Sequence, residues 1–457
     1  MKRILTAIIL TAGIPAFAGP SEISLDEAVA TAYANNRELA AAVKRAEQTK
    51  ERVNQAWGAL LPVIESQASA TRQHADSGFT ALSDGSYDIR AIQVSLGLNP
   101  GGIYHAVKTA SDENAAAKEE IRRLRYQVTS DVIRGYFSII RARQILAIRR
   151  DSLAQLQSNY KDTGNLYRNG SVPRYDLLQS EVQMKGAEPL VVEAETLLSV
   201  SLDAFNLALG SPSGAYAPAQ KDESALPLVF PSDDAGILSR MTQTAIKNSP
   251  GVIALELRRS QAKHAAAAQE SLWLWPTFSV GGNWGWNRNL TNPPSTGNPA
   301  MSSALSSVFG SDSWQQTWQL RAGATYRWDT LLPFSSPHAK KREADAAGEE
   351  IDLSAAQLRR SVEVAVRRDY YAMKTASLTL ATRLENIDTA KEGLRIARES
   401  YREGIVRSSE LLAAETSLTA ARGSYTDALY SYYSAMADLQ RDTGVDAIKI
   451  FFEEETK

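Results

Sequence analysis

The sequence repeats itself at a constant offset of 234 residues, the difference between positions 401 and 167. The run YRNG at 167–170 returns as YREG at 401–404, and DLL at 176–178 returns as ELL at 410–412. The offset holds without a gap over roughly 80 residues, which indicates two copies of one structural unit. Each copy combines long helical segments with short strands that cannot close a sheet alone.

Each copy contains a helix-forming segment much longer than an ordinary globular helix. From Ile103 to Tyr167 there is no proline, and apolar residues recur at steps of three, four or seven. The second copy repeats this pattern from His338 to Tyr401. These steps are typical of a coiled-coil seam, and each segment would span roughly 95 Å. Periodicity alone leaves two ordinary antiparallel coiled coils open as an alternative.

Alternating segments follow the N-terminal helices of each copy. After Pro276, apolar residues alternate with small polar residues over about 277–287, and a second alternating run covers about 316–328. The first copy has weaker runs at about 63–73 and 87–98. Alternation over about ten residues is the pattern of a transmembrane β-strand. The sequence therefore predicts four such strands.

Tryptophan is concentrated in this region, since seven of the eight tryptophans lie between Trp273 and Trp328. Aromatic residues at strand ends favour a girdle at the membrane interface. A soluble sandwich core is the alternative, and Arg321 and Arg327 argue against it because they lie among polar neighbours on one strand face. We predict a girdle formed by Trp284, Trp286, Trp318 and Trp328.

Composition and targeting signals narrow the class further. The chain has 50 Lys plus Arg against 52 Asp plus Glu, which argues against a nucleic-acid partner. The lack of cysteine excludes disulfides, thiolate metal sites and a lipoprotein anchor. Residues 1–18 have the basic start, apolar stretch and small-residue cleavage site of a signal peptide. No later stretch reaches about 18 uninterrupted apolar residues. We expect an exported protein, in the periplasm or the outer membrane.

The four predicted strands are too few for one chain to form an outer-membrane barrel alone. Outer-membrane barrels begin at about eight strands, and open sheet edges are not tolerated in hydrocarbon. Four strands from one chain must therefore be completed by other copies, with eight strands in a dimer or twelve in a trimer. The long helices would continue such a barrel as a tunnel wall.

The order of these elements and their duplication resemble those of the TolC-type outer-membrane efflux proteins. The signal peptide, the two strand-and-helix repeats, Asn35-Asn36 before Leu60-Leu61-Pro62, and the runs at 401–404 and 410–412 carry the resemblance over essentially the whole mature chain. It implies an α+β membrane protein in which a long α-helical coiled-coil barrel is continued by a transmembrane antiparallel β-barrel. Each chain would supply four of twelve strands in a trimer with an internal two-fold repeat. The missing lipoprotein cysteine indicates the non-acylated branch.

The resemblance also implies a domain plan and a function. The plan is a signal peptide (1–18), a first repeat (19–237) with a turn near 170, a second repeat (238–445) with a turn near 404, and a tail (446–457). The function is that of a passive homotrimeric exit duct in outer-membrane lipid. It would serve a tripartite efflux pump or a type I secretion system through a periplasmic adaptor and an inner-membrane pump or ABC exporter.

Residue types give little support to catalysis. The four histidines show no paired metal-ligand spacing, and no glycine-rich phosphate loop follows a strand. We therefore expect no enzyme activity, cofactor or metal site. A diffusion porin and a periplasmic coiled-coil scaffold remain alternative functions. The long helices argue against the porin, and the strand alternation and clustered tryptophans argue against the scaffold. The cargo is not identified by any motif.

The turns between the long helices and their return helices are the predicted docking sites. Glycine permits a tight reversal, and Pro173 favours the start of a return helix. A plain helical hairpin turn is the simpler interpretation of the same residues. By resemblance, the tips would contact the adaptor through Gly170, Ser171, Val172, Gly404, Ile405 and Val406.

A periplasmic gate is predicted beside these tips. In a threefold assembly Glu410 would form a ring of carboxylates that selects cations, although a solvated glutamate in a first helical turn is an equal alternative. By resemblance, Tyr401 and Asp176 would form a closing latch assisted by Arg407. Val406 stands where the family has the assisting arginine. Tyr401 is also expected to pack in a helix seam.

Overall fold

The computed structural model describes residues 21–72, 85–219, 234–290, 298–301, 303–304, 313–403 and 405–444. The predicted signal peptide at 1–18, the tail at 446–457 and the tip residue Gly404 lie outside these residues. Most of the loop expected between the two strands of the second copy also lies outside the described residues.

The described chain is mostly helical, with one larger and one smaller sheet. In chain order its elements are β1 (Ser21–Ile23), α1 (Leu25–Asn35), α2 (Arg37–Gly58), β2 (Val63–Arg72), β3 (Gly85–Leu98), α3 (Pro100–Arg168), α4 (Arg174–Ala208), β4 (Tyr216–Pro218), α5 (Asp234–Asn248), α6 (Pro250–Leu274), β5 (Thr277–Leu290), β6 (Gln315–Thr325), a 3-10 turn (Trp328–Leu331), α7 (Ser336–Arg402) and α8 (Ser408–Thr443).

The long helices α3 and α7 begin and end close to the positions expected from periodicity. They contain 69 and 67 residues, so each would extend about 100 Å at 1.5 Å per residue. Each is followed by a return helix, α4 or α8. The repeat offset of 234 residues carries the last residue of α3, Arg168, onto the last residue of α7, Arg402.

The chain divides into two compact units: one comprises Met1–Val43, Glu119–Ile253 and Gln357–Lys457, and the other comprises Lys44–Lys118 and Ala254–Ala356. Each unit contains parts of both sequence repeats. The repeat boundary expected at 237 falls within α5. The boundaries of the two repeats therefore stay a prediction.

The two larger apolar cores of the first unit, among its described residues, are built around the long helices. In one, Val132 and Tyr136 of α3 are fully buried and pack with Phe205 of α4. In the other, Val366 and Tyr370 of α7 are fully buried with residues of α5 and α8. Both pairs belong to the apolar seam that periodicity predicts, so the seam marks the buried face of each helix.

The second unit contains an antiparallel four-stranded sheet in the order β2-β3-β5-β6. Its register places Trp284 of β5 opposite Trp318 of β6, and Gly281 opposite Arg321. Because paired residues in a sheet lie on the same face, one face carries the tryptophans and the other carries Arg321. The alternation predicted from sequence thus separates an apolar from a polar face.

Three details of the second copy differ from the prediction. Strand β6 ends at Thr325, and Trp328, expected at the end of that strand, instead begins the 3-10 turn. Arg327, expected on the polar strand face, lies beyond the strand and pairs with Asp329 at 2.5 Å. Strand β5 continues to Leu290, beyond the expected end near 287. An apolar–polar alternation continues past Thr325 in the sequence, but the chain has already left the sheet there.

Candidate functional site at the helical hairpin tips

The first tip is a tight turn between α3 and α4. Gly170 has a φ of 73°, a left-handed conformation that glycine adopts without steric cost. Its N–H donates to the Tyr167 carbonyl at 2.9 Å, and the Ser171 N–H donates to the Leu166 carbonyl at 2.9 Å. These bonds satisfy carbonyls at the end of α3. Pro173 is extended at the N-cap of α4, as the sequence predicts. Gly170 and Ser171 are exposed.

The second tip, between α7 and α8, has the same closing hydrogen bond. The Ile405 N–H donates to the Ser400 carbonyl at 2.9 Å, the counterpart of the Ser171 bond at the repeat offset. Ile405 is 71% exposed, and Val406 is half-buried. Arg407 is the extended N-cap of α8 and is exposed.

Tyr401 lies in the seam of the second hairpin. It packs against the cluster that contains Leu394 of α7 and Leu411 of α8. Within the described part of the chain, no hydrogen bond joins Tyr401 to Asp176. Within one protein chain, Tyr401 is therefore a packing residue. Packing is the simpler of the two roles that the sequence predicts for it.

Asp176 lies in the first turn of α4, where its N–H donates to the Pro173 carbonyl at 3.1 Å. Together with Ser180 it lines a small cleft of about 20 Å³ that also contacts Ser409 and Leu412 of α8. Asp176 is thus brought to the start of the other hairpin's return helix.

Glu410 is exposed in the first turn of α8. Its N–H donates to the Arg407 carbonyl at 3.0 Å. A carboxylate at this position is favoured by the positive end of the helix dipole. The structure therefore places Arg407 and Glu410 within one turn of the second tip, with the Glu410 side chain open to solvent.

The second hairpin contains a half-buried ion pair that sequence reasoning missed. Arg398 of α7 lies 3.7 Å from Glu415 of α8, whose side chain is only 12% exposed. Burial raises the pKa of Glu415, and Arg398 opposes that rise. At the repeat offset the first hairpin has Gly164 and Glu181, and Glu181 bonds to Lys185 on its own helix at 2.7 Å. The first copy has glycine where the second has Arg398. This difference between the two copies is the sequence feature that could have drawn attention to the ion pair.

Ion pairs also join the two hairpins to each other through α3 and α8. Such pairs contribute about 0–1 kcal/mol each when exposed, so they can hold the hairpins together and still be broken. The pairs are Arg134–Asp438, Arg141–Asp427 at 2.7 Å and Arg422–Asp151 at 3.8 Å.

A histidine pair lies in the second unit. The Nδ1 atoms of His105 on α3 and His264 on α6 are 3.1 Å apart, although the two residues are distant in sequence. No group of three or more His, Cys, Asp or Glu side chains is arranged to hold a metal ion among the described residues.

The predicted girdle residues lie near the larger sheet. Trp284 and Trp286 are on the apolar face of β5, with ring centroids 4.6 Å apart. Trp318 on β6 is 76% exposed, and Trp328 is exposed beyond the strand end. In the described part of the chain, no helix is both long and apolar enough to cross a membrane.

The fold resembles that of solved outer-membrane channels. A membrane protein from Pseudomonas aeruginosa matches 93% of this chain and 91% of its own with a TM-score of 0.76 and 17% identity. The CmeC outer membrane channel of Campylobacter jejuni matches 100% and 97% with a TM-score of 0.72 and 16% identity. The open-state MtrE outer membrane channel of Neisseria gonorrhoeae matches 92% and 89% with a TM-score of 0.71 and 18% identity.

Sequence comparison then gives the family. The family model described as "Outer membrane efflux protein" matches residues 28–211 and 241–445, well over half of the chain. The chain belongs to the outer membrane efflux protein family. The resemblance to TolC-type proteins is confirmed, and so are an outer-membrane location and a role in efflux transport. Comparison with curated proteins gives no significant match.

Proposed function

We propose that three copies of this chain form a passive exit duct through the outer membrane. The observation that carries the proposal is the sheet order β2-β3-β5-β6. In the described residues, β2 and β6 each have a sheet partner on one side only. Unpaired strand edges in hydrocarbon are too costly to persist, so other copies must pair with them.

Strand direction supports closure by identical copies. All neighbouring strands in the sheet are antiparallel, so β6 runs opposite to β2. In a ring of copies related by rotation, β6 of one copy can pair in antiparallel fashion with β2 of the next. Four strands per chain give twelve in a trimer, with the apolar tryptophan face toward lipid and the Arg321 face toward the lumen.

The long helices supply the rest of the duct. Around a threefold axis, α3, α4, α7 and α8 of each copy would form an α-helical barrel that extends the pore into the periplasm. The matched positions of the two hairpins favour an internal duplication, with repeats at 19–237 and 238–445. This arrangement makes the hairpin tips the periplasmic entrance.

The periplasmic entrance is the proposed gate. Glu410, exposed in the first turn of α8, would become a ring of three carboxylates that attracts cations. Tyr401, Asp176 and Arg407 would contribute contacts between neighbouring hairpins in the closed state. The α3–α8 ion pairs, of which Arg141–Asp427 and Arg422–Asp151 each have one largely exposed partner, would break when the hairpins move apart.

The tips are also the proposed docking site for a periplasmic adaptor. Gly170, Ser171 and Ile405 are exposed there, and Val172 and Val406 are half-buried. Gly404, which lies outside the described residues, is included on its sequence position alone. The adaptor would connect the duct to an inner-membrane pump or an ABC exporter, because the family is one of transport proteins and the chain carries no motif for an energy source.

A cross-linking experiment tests this function. The chain has no cysteine, so Ile405→Cys carries a unique thiol at the tip. A short bifunctional reagent in cells should capture an adaptor protein, identified by mass spectrometry. Leu353→Cys is the matched control and should capture no adaptor, because Leu353 is an exposed apolar residue within α7 and far along that helix from the tip. Equal capture at both sites, or none at the tip, would contradict docking through the tips.

A further inference from the structure

Two of the four histidines in the chain are in direct contact. His105 on α3 and His264 on α6 have their Nδ1 atoms 3.1 Å apart and their ring centroids 5.4 Å apart. The residues are 159 positions apart in sequence, so no spacing motif marks them. A hydrogen bond between two imidazole nitrogens needs one ring to accept, and only a neutral imidazole has an acceptor nitrogen. At least one ring is therefore neutral, the form that binds metal ions.

Close packing of α3 against α6 positions the two histidines. A Cβ added at Gly101 of α3 would lie 2.6 Å from the Cβ of Ser271 on α6, so the two helices approach closely near the pair. The Asn99 side-chain amide donates to the Ser271 carbonyl at 3.5 Å. Helix α3 follows β3, and α6 precedes β5, and these two strands pair through Leu98 and Phe278. The separation of the two histidines is therefore set by packed backbone.

The pair remains accessible to solvent. Both histidines are half-buried, and the neighbouring Tyr104 is 56% exposed. The Tyr104 ring meets both imidazoles edge-on, with its centroid 5.1 Å from that of His105 and 6.5 Å from that of His264. Ions can therefore reach the two nitrogens, and water can take the coordination positions that the protein leaves open.

We propose that His105 and His264 form a two-histidine site for a divalent transition-metal ion, Zn²⁺ or Cu²⁺. Imidazole nitrogen is a preferred ligand of both ions. With metal–nitrogen bonds of about 2.0–2.1 Å, two neighbouring ligands of one tetrahedral ion lie about 3.3 Å apart. The Nδ1 separation of 3.1 Å is close to this value. On binding, each ring turns from the other toward a common point, which side-chain rotation allows while the backbone stays in place.

The composition of the chain favours this pair as the ligand. The chain has no cysteine, and in its described part no group of three or more His, Asp or Glu side chains is arranged to hold a metal ion. A structural zinc site has four protein ligands, so two histidines completed by water make an exchangeable site. The ion would link two helices that continue directly into neighbouring strands of the larger sheet. This binding site does not depend on the number of copies in the duct.

Electron paramagnetic resonance of bound Cu²⁺ tests the site. The whole protein, without an affinity tag and in detergent, carries His74→Gln, so that His105, His264 and His338 are its remaining histidines. We expect one equivalent of Cu²⁺ to show hyperfine coupling to two imidazole nitrogens. His105→Gln and His264→Gln should each lose at least one of these couplings. His338→Gln, which changes a histidine that stacks on Trp273, is the matched control and should keep both.

Thermal unfolding provides a second measurement. Zn²⁺ should raise the melting temperature of the protein, because an ion that binds only the folded chain stabilises it. The rise should disappear in His105→Gln and in His264→Gln. Each variant is compared with its own metal-free sample, so that stability lost with the hydrogen bond does not enter the comparison.

Three results would overturn the site. The first is a Cu²⁺ spectrum without imidazole coupling, and the second is a pair of couplings that survives both substitutions. The third is a melting temperature that depends on pH through His105 and His264 but does not respond to Zn²⁺, which would show that their contact is a hydrogen bond and no more.

Discussion

Gly285 on β5 packs directly against the carbonyl oxygen of Ile89 on β3, so close that an added Cβ would overlap that oxygen. The contact occurs where the pairing of β3 with β5 shifts by one residue between Arg90 and Ile92. This bulge brings Ile89 onto the same face as Ile92, since their partners are Trp286 and Trp284 on one face of β5. One glycine thus permits the bulge that keeps the apolar face of β3 continuous.

Replacement of Gly285 by alanine should therefore disrupt the sheet. The Cβ cannot be accommodated without moving the β3 backbone, at a cost of about 1–3 kcal/mol. We expect the amount of protein assembled in the outer membrane to fall severalfold, measured by membrane fractionation. Gly97→Ala is the control, because a Cβ there meets nothing within 4 Å. Equal assembly of both variants would show that the bulge is dispensable.

The two faces of β6 can be tested with neighbouring residues. Trp318→Asp places a carboxylate on the apolar face and should reduce outer-membrane assembly, at a cost of roughly 1–2 kcal/mol in lipid. Thr317→Asp places the same group on the polar face and should assemble normally. Heat-modifiable mobility of the folded protein in gel electrophoresis measures both. If Thr317→Asp is the more damaging change, the assignment of the faces is wrong.

Sequence patterns predict elements well where burial is periodic. The ends of α3 and α7 fall within about three residues of the expected positions because the apolar seam runs along each whole helix. The sequence analysis did not predict the bulge at Ala91, between Arg90 and Ile92. Ile89 and Ile92 are three residues apart, so a regular strand would place them on opposite faces, and this break in the apolar alternation is visible in the sequence. The end of β6 at Thr325 was missed because Tyr326 and Trp328 continue the alternation outside the sheet.

Contacts between residues that are distant in sequence could not be predicted from the apolar pattern. The Arg398–Glu415 ion pair and the His105–His264 pair each join two helices. Periodicity predicts which face of a helix is buried, but not which residue of another helix it meets. For the gate, the sequence located the turns and predicted that Tyr401 packs in a helix seam, whereas the approach of Asp176 to Ser409 and Leu412 of α8 required the structure.

Asp369 on α7 is an ionisable group with an unusual environment. It is 3% exposed, and burial raises the pKa of its carboxyl to about 6. The adjacent Arg368 lowers that pKa, and the nearby Asp442 of α8 raises it again. Because the folded protein binds this proton more tightly than the unfolded chain, the group's contribution to stability is complete below pH 3.8. It is lost as the pH rises through about 6.

Asp369→Asn should remove this pH dependence. The difference between pH 3.8 and about 6 corresponds to at most about 3 kcal/mol of unfolding free energy. Denaturant unfolding in detergent, followed by helical circular dichroism, should show a smaller decline with pH in the variant. Asp388→Asn, at an exposed position on the same helix, should behave as the unchanged protein. A decline that is identical in both variants would exclude Asp369 as its source.

Glu410→Ala tests the gate. Removal of a ring of three carboxylates should abolish much of the cation preference and increase leak, measured by reversal potential and conductance in planar bilayers. Glu403→Ala changes another exposed carboxylate at the same tip and should have a smaller effect. If Glu410→Ala retains the unchanged selectivity and conductance, Glu410 does not line the constriction.

The most direct test of the duct is the structure of the protein in lipid nanodiscs by electron cryomicroscopy. We expect a threefold particle in which β6 of each copy pairs with β2 of the next, so that four strands per chain close a barrel of twelve. The Trp318 face should meet lipid, and the helices should extend from one side. A particle of another stoichiometry, or one in which β2 and β6 remain unpaired, would contradict the proposed function.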